Sequence, residues 1–264
     1  KTVAAYNRGL TVDDDYRFGF ISVGADGTIE WQRDSLGCGG KVYYHYAAPA
    51  ILLSSSGDPD LVAMGDVPRG SPCEYVTHAS HPNQTRLVVA PLDANGQGDP
   101  IDIEEVPEEP VSSVGFVRRE QGPLLVFARA LPPNGLNEHD VYMVPLDWSG
   151  QPAGPVRSLG MRQVRERVAV VEVDQGFAVG YFPFLEEGEF RAAVALFDLE
   201  GNLLQEIDSA PLPDHGRNPM LAVASPDGRH IMLGWIQETG DKATENYGVP
   251  TLLRFDCVEP TVER

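Results

Sequence analysis

The sequence predicts an all-β fold, and three observations carry that prediction. The first is a recurring turn: Leu146-Asp147-Trp148-Ser149-Gly150 has the same form as Leu92-Asp93-Ala94-Asn95-Gly96 and Phe197-Asp198-Leu199-Glu200-Gly201, with Gly24-Ala25-Asp26-Gly27 as a looser copy. In each full copy an apolar run ends in Asp, two residues follow, and Gly closes the turn. Glycine supplies the positive φ that such hairpins need, and Asp or Asn bonds back to the local backbone. The second observation is another turn series interleaved with the first: Ser56-Gly57-Asp58, Glu120-Gln121-Gly122, Asp174-Gln175-Gly176 and Ser225-Pro226-Asp227-Gly228, each joining two apolar runs. Two interleaved series sharing a period of about 50 residues mean a four-stranded repeat, and that period is the period of a propeller blade. The third observation is that no amphipathic helix of three turns is found, while 27 Gly and 22 Pro suit short strands and frequent turns. The expectation is one β-propeller domain of four-stranded blades, about five of them visible. Approximate boundaries are 1–46 (partial), 47–110, 111–163, 164–215 and 216–264.

The elements follow in order. Phe18–Val23 and Thr28–Trp31 read as the third and fourth strands of a first, incomplete blade, with Val3–Tyr6 as one more strand. The first turn of that blade falls at or before residue 1, so the chain is expected to begin inside a blade. Ala50–Leu53, Leu61–Met64, Leu87–Leu92 and Ile101–Ile103 build the second, interrupted by a long insertion over about 66–84. Glu104 to Pro110 is an acidic, proline-stiffened connector. Val114–Val117, Leu124–Ala128 and Val141–Leu146 belong to the third. Val168–Val173, Phe177–Tyr181, Ala193–Phe197 and Leu203–Ile207 make the fourth. The Met161–Val171 stretch has some helical potential, but its valines favour a strand. Leu221–Ala224, His230–Trp235 and Thr251–Phe255 make the fifth, with Asp256 where the second turn belongs.

Composition narrows the function classes. The chain has 264 residues, 42% of them hydrophobic, which is enough for one large core and excludes a disordered chain. No apolar run approaches the roughly 18 residues of a membrane span. Asp plus Glu number 39 against 20 Lys plus Arg, a net charge of −19, which opposes nucleic-acid binding. Such a charge suits a self-repelling surface, an extracellular or salt-adapted protein, or one that binds cations. The three cysteines form no CxxC site; Cys38 and Cys73 lie in loops, and either they form a disulfide or all three thiols are free. A disulfide would place the chain in an oxidising compartment.

These residues resemble known families. Ser225-Pro226-Asp227-Gly228 before an apolar strand is similar to the inner hairpin of Tol-type and WD-like β-propellers. Asp140 to Val156, and again Leu87 to Pro100, resemble the repeats of secreted bacterial propeller proteins and lipoproteins of myxobacteria-like organisms, where a strand ends in Leu-Asp-x-x-Gly and then x-Pro-x-Gly. The resemblance spans about residues 16–256. It implies a propeller fold and an extracytoplasmic location, and it carries no catalytic residue. The aromatic-Trp pair of many such repeats is absent. Ala25-Asp26-Gly27-Thr28-Ile29-Glu30-Trp31 resembles a sialidase Asp-box superficially, with the wrong spacing and in one copy.

In a propeller the loops joining strands two and three, and those joining blades, emerge on one face. His78, His81 and His139 fall in the former and His45 and His215 in the latter; only His230 starts a strand. His78 and His81 are chemically capable of ligating a metal, with Asp140 and Asp214 as oxygen donors, so a divalent cation is the one cofactor this set would suit. The competing reading is that polar residues simply collect in loops. Tyr43, Tyr44 and Tyr46 offer rings for a sugar or for packing at a blade edge. Arg118, Arg119, Arg162, Arg165 and Arg167 suit anion binding or pairing with carboxylates. Trp31, Trp148 and Trp235 are expected between blades. Asn83-Gln84-Thr85 is a glycosylation sequon.

Two functions follow. One is an exported, non-enzymatic platform whose loop-rich face docks a protein or surface glycan. The other is a metal-assisted polysaccharide lyase or hydrolase using the loop histidines. A third expectation is membership of a larger assembly that completes the first blade.

Overall fold

The structure, a computed structural model, describes residues 2–8, 17–23, 26–34, 50–53, 59–68, 85–91, 99, 101–103, 111–131, 138–184, 190–212, 216–225, 229–238 and 248–257. Among them there is no helix. The described residues form eighteen strands, and every pairing between them is antiparallel.

The first sheet is β1 (Thr2–Arg8), β2 (Arg17–Val23) and β3 (Ile29–Asp34); the second is β4 (Ala50–Leu53), β5 (Pro59–Pro68), β6 (Thr85–Pro91) and β7 (Ile101–Asp102). Next come β8 (Val111–Val117), β9 (Leu124–Ala130), β10 (His139–Pro145) and β11 (Arg157–Ser158), then β12 (Val164–Val173), β13 (Gly176–Pro183), β14 (Ala193–Phe197) and β15 (Leu203–Asp208). These two four-stranded meanders, here the third and fourth sheets, join as one eight-stranded sheet through a single residue pair, His139 with Val164. The last sheet is β16 (Gly216–Ala224), β17 (His230–Glu238) and β18 (Gly248–Asp256). β1 pairs with β2 over its whole length, so Val3–Tyr6 is a strand, as expected. The Met161–Val171 region extends to strand β12, because its branched residues pack on both faces of the sheet.

The cores lie between sheets. Leu52, Leu61, Leu87 and Val89 meet Leu125, Phe127, Val144 and Leu146. Leu124, Val126, Val141 and Met143 meet Phe177, Val179, Tyr181 and Phe197. Phe182, Phe190 and Val194 meet Ile231, Leu233, Trp235 and Phe255. A sheet buried on both faces needs apolar residues at consecutive positions, and β9 and β13 have them: Leu124-Leu125-Val126-Phe127-Ala128 is 0% exposed throughout.

The first turn series is built as the sequence implied. The backbone N–H of Gly150 donates to Asp147 O at 3.0 Å and that of Gly201 to Asp198 O at 3.1 Å, with φ of 86° and 84° at the two glycines. Asp147 Oδ1 accepts from the N–H groups of Ser149 (2.8 Å) and Gln151 (3.0 Å), and Asp198 Oδ1 from those of Glu200 (3.0 Å) and Asn202 (2.8 Å). Each glycine also rests on the sheet before it. A Cβ on Gly150 would lie 3.1 Å from Val89 Cγ1 and 3.3 Å from Leu61 Cδ2; one on Gly201 would lie 2.7 Å from Met143 Sδ.

The two turn series also interlock, which the sequence did not reveal. A Cβ on Gly122 would overlap the carbonyl oxygen of Leu146 and lie 2.8 Å from Asp147 Cα; a Cβ on Gly176 would meet Phe197 O and Asp198 Cα in the same way. Within the third and fourth sheets the inner turn is therefore pressed against the outer one. Trp148 corrects an expectation here. It is 46% exposed at the turn tip rather than packed between sheets, and its indole N–H donates to Glu120 O at 3.1 Å, clasping the two turns together. Trp235, at 3% exposure and edge-on to Phe182, does pack between sheets. The side chain of Trp31 lies outside the described residues.

The inner strands run side by side around an axis: β4 beside β8, β8 beside β12, β12 beside β16. Ser113 Oγ, 6% exposed in its residue, accepts the N–H of Val168 at 3.0 Å. That N–H is left over by the irregularity of β12 between Val164 and Val168. Ser113→Ala is expected to strand it, lowering stability by about 1–3 kcal/mol in urea unfolding. Ser113→Thr, which keeps the acceptor, would lose less.

Candidate functional site

Antiparallel meanders place their connections alternately at two ends. At one end lie the short turns 174–175 and 198–202; at the opposite end β3, β5, β9, β13 and β15 finish and β4, β6, β10, β14 and β16 start, and the stretches of sequence between those strand ends are longest at 35–49 and 69–84. The axis between the inner strands forms a cavity of about 670 Å³, lined by Leu52, Phe116, Arg118, Val170, Glu172 and Ala222 among others. Its charges gather at the short-turn end, where Glu172 Oε1 accepts the backbone N–H of Arg118 at 2.6 Å.

The loop-rich end holds two polar networks that sequence reading missed. Arg162, in the linker before β12, donates to Glu206 Oε1 (3.0 Å), to Asp208 Oδ1 (2.5 Å) and to the Tyr181 hydroxyl (3.2 Å). Tyr181 in turn donates to Glu206. The register aligns Tyr181, Ala193 and Asp208 across three strands, which is why residues so far apart in sequence converge. The bond to Asp208, foremost, holds the Arg162 guanidinium protonated well beyond its ordinary range; burial, with the carboxylate of Glu206, pushes the Tyr181 phenol up. In the third sheet Arg129 lies 4.3 Å over the Tyr142 ring and donates to its hydroxyl at 2.8 Å, and that hydroxyl lies 3.4 Å from Asp140 Oδ2. Arg165, on the inner strand β12, lies 5.3 Å from the Phe184 ring centroid and 5.7 Å from that of Phe190. Pairing therefore explains Arg162, and ring contact explains Arg165. The one sequence signal for either network was the Arg162/Arg165/Arg167 cluster itself.

Of the histidines assigned to this face, His139 alone lies among the described residues, and its placement is a correction. It is not in a loop: it is the first residue of β10, 3% exposed, paired across the backbone with both Ala130 and Val164. The alternation that buries Val141 and Met143 against the fourth sheet buries His139 too. Burial lowers its pKa to about 4, so the ring is neutral at pH 7, and Nδ1 has no hydrogen-bond partner. His45, His78, His81, His215, Tyr43, Tyr44, Cys38, Cys73 and Asp214 lie outside the described residues. Among the described residues no group of three His, Cys, Asp or Glu side chains is placed to hold a metal ion. Cys257 is a free thiol whose pKa burial raises. His230 starts β17, as expected, with Nδ1 2.9 Å from Asp256 Oδ1.

No family model matches the chain. No curated protein matches it. Among solved structures it is similar to an α-L-arabinofuranosidase from Lactobacillus brevis, at 12% identity and a TM-score of 0.51 over 96% of this chain and 86% of that one. It is likewise similar to an endo-arabinase from Bacteroides thetaiotaomicron VPI-5482, at 14% identity and a TM-score of 0.51 over 98% of this chain and 90% of that one. At these identities the likeness is one of fold. The structural neighbours are β-propellers, and with its antiparallel sheets around one axis this chain is a β-propeller. No helix among the described residues is long and apolar enough to cross a membrane.

Proposed function

We propose that this propeller is an exported binding platform that holds a protein or surface glycan at its loop-rich end and catalyses no reaction. The observation that supports it is the asymmetry of the connections: the third and fourth sheets have tight, interlocked turns at one end, and the longest stretches of sequence between strands, 35–49 and 69–84, leave from the opposite strand ends. Variable loops on a rigid scaffold are the usual form of a recognition surface. The net charge of −19 and the resemblance to secreted repeat proteins support export. The expected result is saturable binding of at least one polysaccharide from a panel that includes arabinan, measured by calorimetry. Replacing residues 70–83 by a short Gly-Ser linker should weaken it at least about tenfold while leaving the circular dichroism unchanged, as loop excision from a rigid scaffold permits. Undiminished binding by the shortened protein would remove the reading.

The alternative, a metal-assisted polysaccharide lyase or hydrolase, is favoured by one observation: the fold is shared with an arabinofuranosidase and an endo-arabinase. It rests on His78 and His81 as ligands and predicts about one equivalent of bound divalent metal. Elemental analysis and a reducing-sugar assay on arabinan test it together. A metal lost in the His78→Ala/His81→Ala variant, with sugar release, would replace the platform reading; no metal and no release would retire the alternative.

A further inference from the structure

Two arginines near the start of β12 are held in different ways. Arg162 donates to Glu206 and Asp208. Arg165 forms no ion pair with a carboxylate of the described residues, and its Nε is buried with no hydrogen-bond partner. Arg129 and Arg191, at the same end of the fold, each reach an oxygen: the Tyr142 hydroxyl at 2.8 Å and Ser209 O at 3.4 Å. The chain carries 39 acidic side chains against 20 basic ones, so a cation without a carboxylate is out of keeping with its composition. A charge drawn partly out of water and left uncompensated costs free energy. Such a group is kept where something outside the chain completes it.

Arg165 stands at the loop-rich end: it follows Val164, which pairs with Pro183 at the end of β13. Two rings fix its place. The guanidinium carbon lies 5.3 Å from the Phe184 ring centroid and 5.7 Å from that of Phe190, a cation–π arrangement that orients the group and leaves its N–H donors unused. Phe190 is 5% exposed, while Phe184 and Arg165 are partly exposed, so the pair opens toward solvent. The ring cluster runs inward through Phe182, 4.8 Å from Phe190, to Trp235, whose indole N–H is also buried with no partner. Both unmet groups are donors only. What completes them is an acceptor, and the acceptor matched to a guanidinium fork is a carboxylate, bound through two parallel N–H···O bonds.

The rings add a second requirement. An apolar ring face beside one charged group suits a ligand that joins a carboxylate to an apolar surface, as the C–H face of a pyranose does. The net charge of −19 adds a third, because it repels a dense polyanion and so favours a carboxylate carried singly. We propose that Arg165, with Phe184 and Phe190, is a subsite for a uronic acid, a sugar bearing one carboxylate, within a largely neutral glycan. The proposal rests on the platform reading and deepens it by naming the chemistry of the glycan.

The test titrates the native 264-residue chain with methyl glucuronide and follows the arginine Nε–Hε resonances by NMR, with methyl glucoside and acetate as the two partial probes. The expected result is a saturable shift of one resonance, the one missing from Arg165→Met. The glucoside should leave it unmoved, and acetate should bind at least about tenfold more weakly, since it lacks the ring contact. Arg165→Met keeps the stem beside the rings and removes the unmet charge, so its Tm should be unchanged or higher. Arg165→Lys, the variant to use if the Met chain does not fold, keeps the charge but loses the fork and should weaken glucuronide binding at least about tenfold. No saturable shift in the wild type overturns the proposal, and a fall in the Tm of Arg165→Met alongside it assigns the arginine to packing. An equal response to acetate also overturns it, as a bare anion site. So does an acidic peptide that shifts the same resonance at lower concentration, since the partner would then be a protein. Arabinan bound while the glucuronide leaves the resonance unmoved strikes the subsite alone. A glucuronide shift in a protein whose binding survives the loss of residues 70–83 supports the subsite and strikes the loop reading alone.

Discussion

Gly176→Ala is expected to lower stability by about 3 kcal/mol, and Gly122→Ala by a similar amount, roughly 6–12 °C in Tm for a chain of this size. The reason is spatial. At each position the new methyl group would meet backbone, the carbonyl oxygen and following Cα of the outer turn, rather than a side chain that can swing aside. Relief requires the two turns of a sheet to separate, and in the third sheet that breaks the bond from Trp148 to Glu120 O. Gly160 supplies the control. Its φ of 62° disfavours alanine, but a Cβ there meets nothing within 4 Å. Gly160→Ala should therefore cost only the left-handed backbone preference, about 1 kcal/mol once the stiffer unfolded chain is counted. Equal losses at positions 122, 160 and 176 would show that the interlock contributes nothing.

The second large effect is one of pH. Unfolded, His139 takes up its proton near 6.5; folded, burial holds the proton off until about pH 4. Between those values the unfolded chain binds more protons, so this residue's contribution to stability is full above about 6.5 and falls as pH falls toward 4. The loss reaches about 3 kcal/mol at the acid end of the window. Asp26 and Asp147 act lower down. Hydrogen bonds, chiefly from the Thr28 and Ser149 side chains, hold their carboxyls below the ordinary aspartate value, so what they contribute persists above that value and is lost as the pH falls beneath it. Acid destabilisation between pH 6.5 and 4.5 should thus be traceable to His139. In urea unfolding across that range, His139→Leu should lose distinctly less stability than the wild type. An unchanged slope would show that another group titrates there.

What the sequence made legible was the short-range chemistry. Asp147 and Asp198 bond within their own turns, and their glycines adopt the φ that the motif demands, so a few adjacent residues sufficed to place both hairpins. The strands between them followed from apolar runs. The contact of Gly122 with Leu146 and Asp147 was not legible, because it joins two turns that each look complete alone. Trp148 was misplaced because an aromatic ring suggests a core, whereas its indole N–H is held at the exposed turn tip by Glu120 O. His139 was misplaced by two residues of strand boundary, and those two decide between a loop ligand and a buried neutral ring. The Arg162 network was invisible because its partners, Tyr181, Glu206 and Asp208, come together only through the register of β13–β15. Of the other residues first assigned to a site, His45, His78, His81, His215, Tyr43 and Tyr44 lie outside the described part of the chain.

The glycines that close the outer turns of the third and fourth sheets lean in one direction. Gly150 sits on Leu61 and Val89, and Gly201 on Met143 and Leu159, in each case on residues that leave the ribosome earlier. A nascent chain emerging at about 5–20 residues per second thus meets, at each new hairpin, a surface already waiting for it. Assembly from the amino terminus is built into the contacts, and a circular permutant opened between the third and fourth sheets would have to make its Gly201 turn before the Met143 and Leu159 surface exists. Slower refolding of that permutant at unchanged final stability is the signature of such an order.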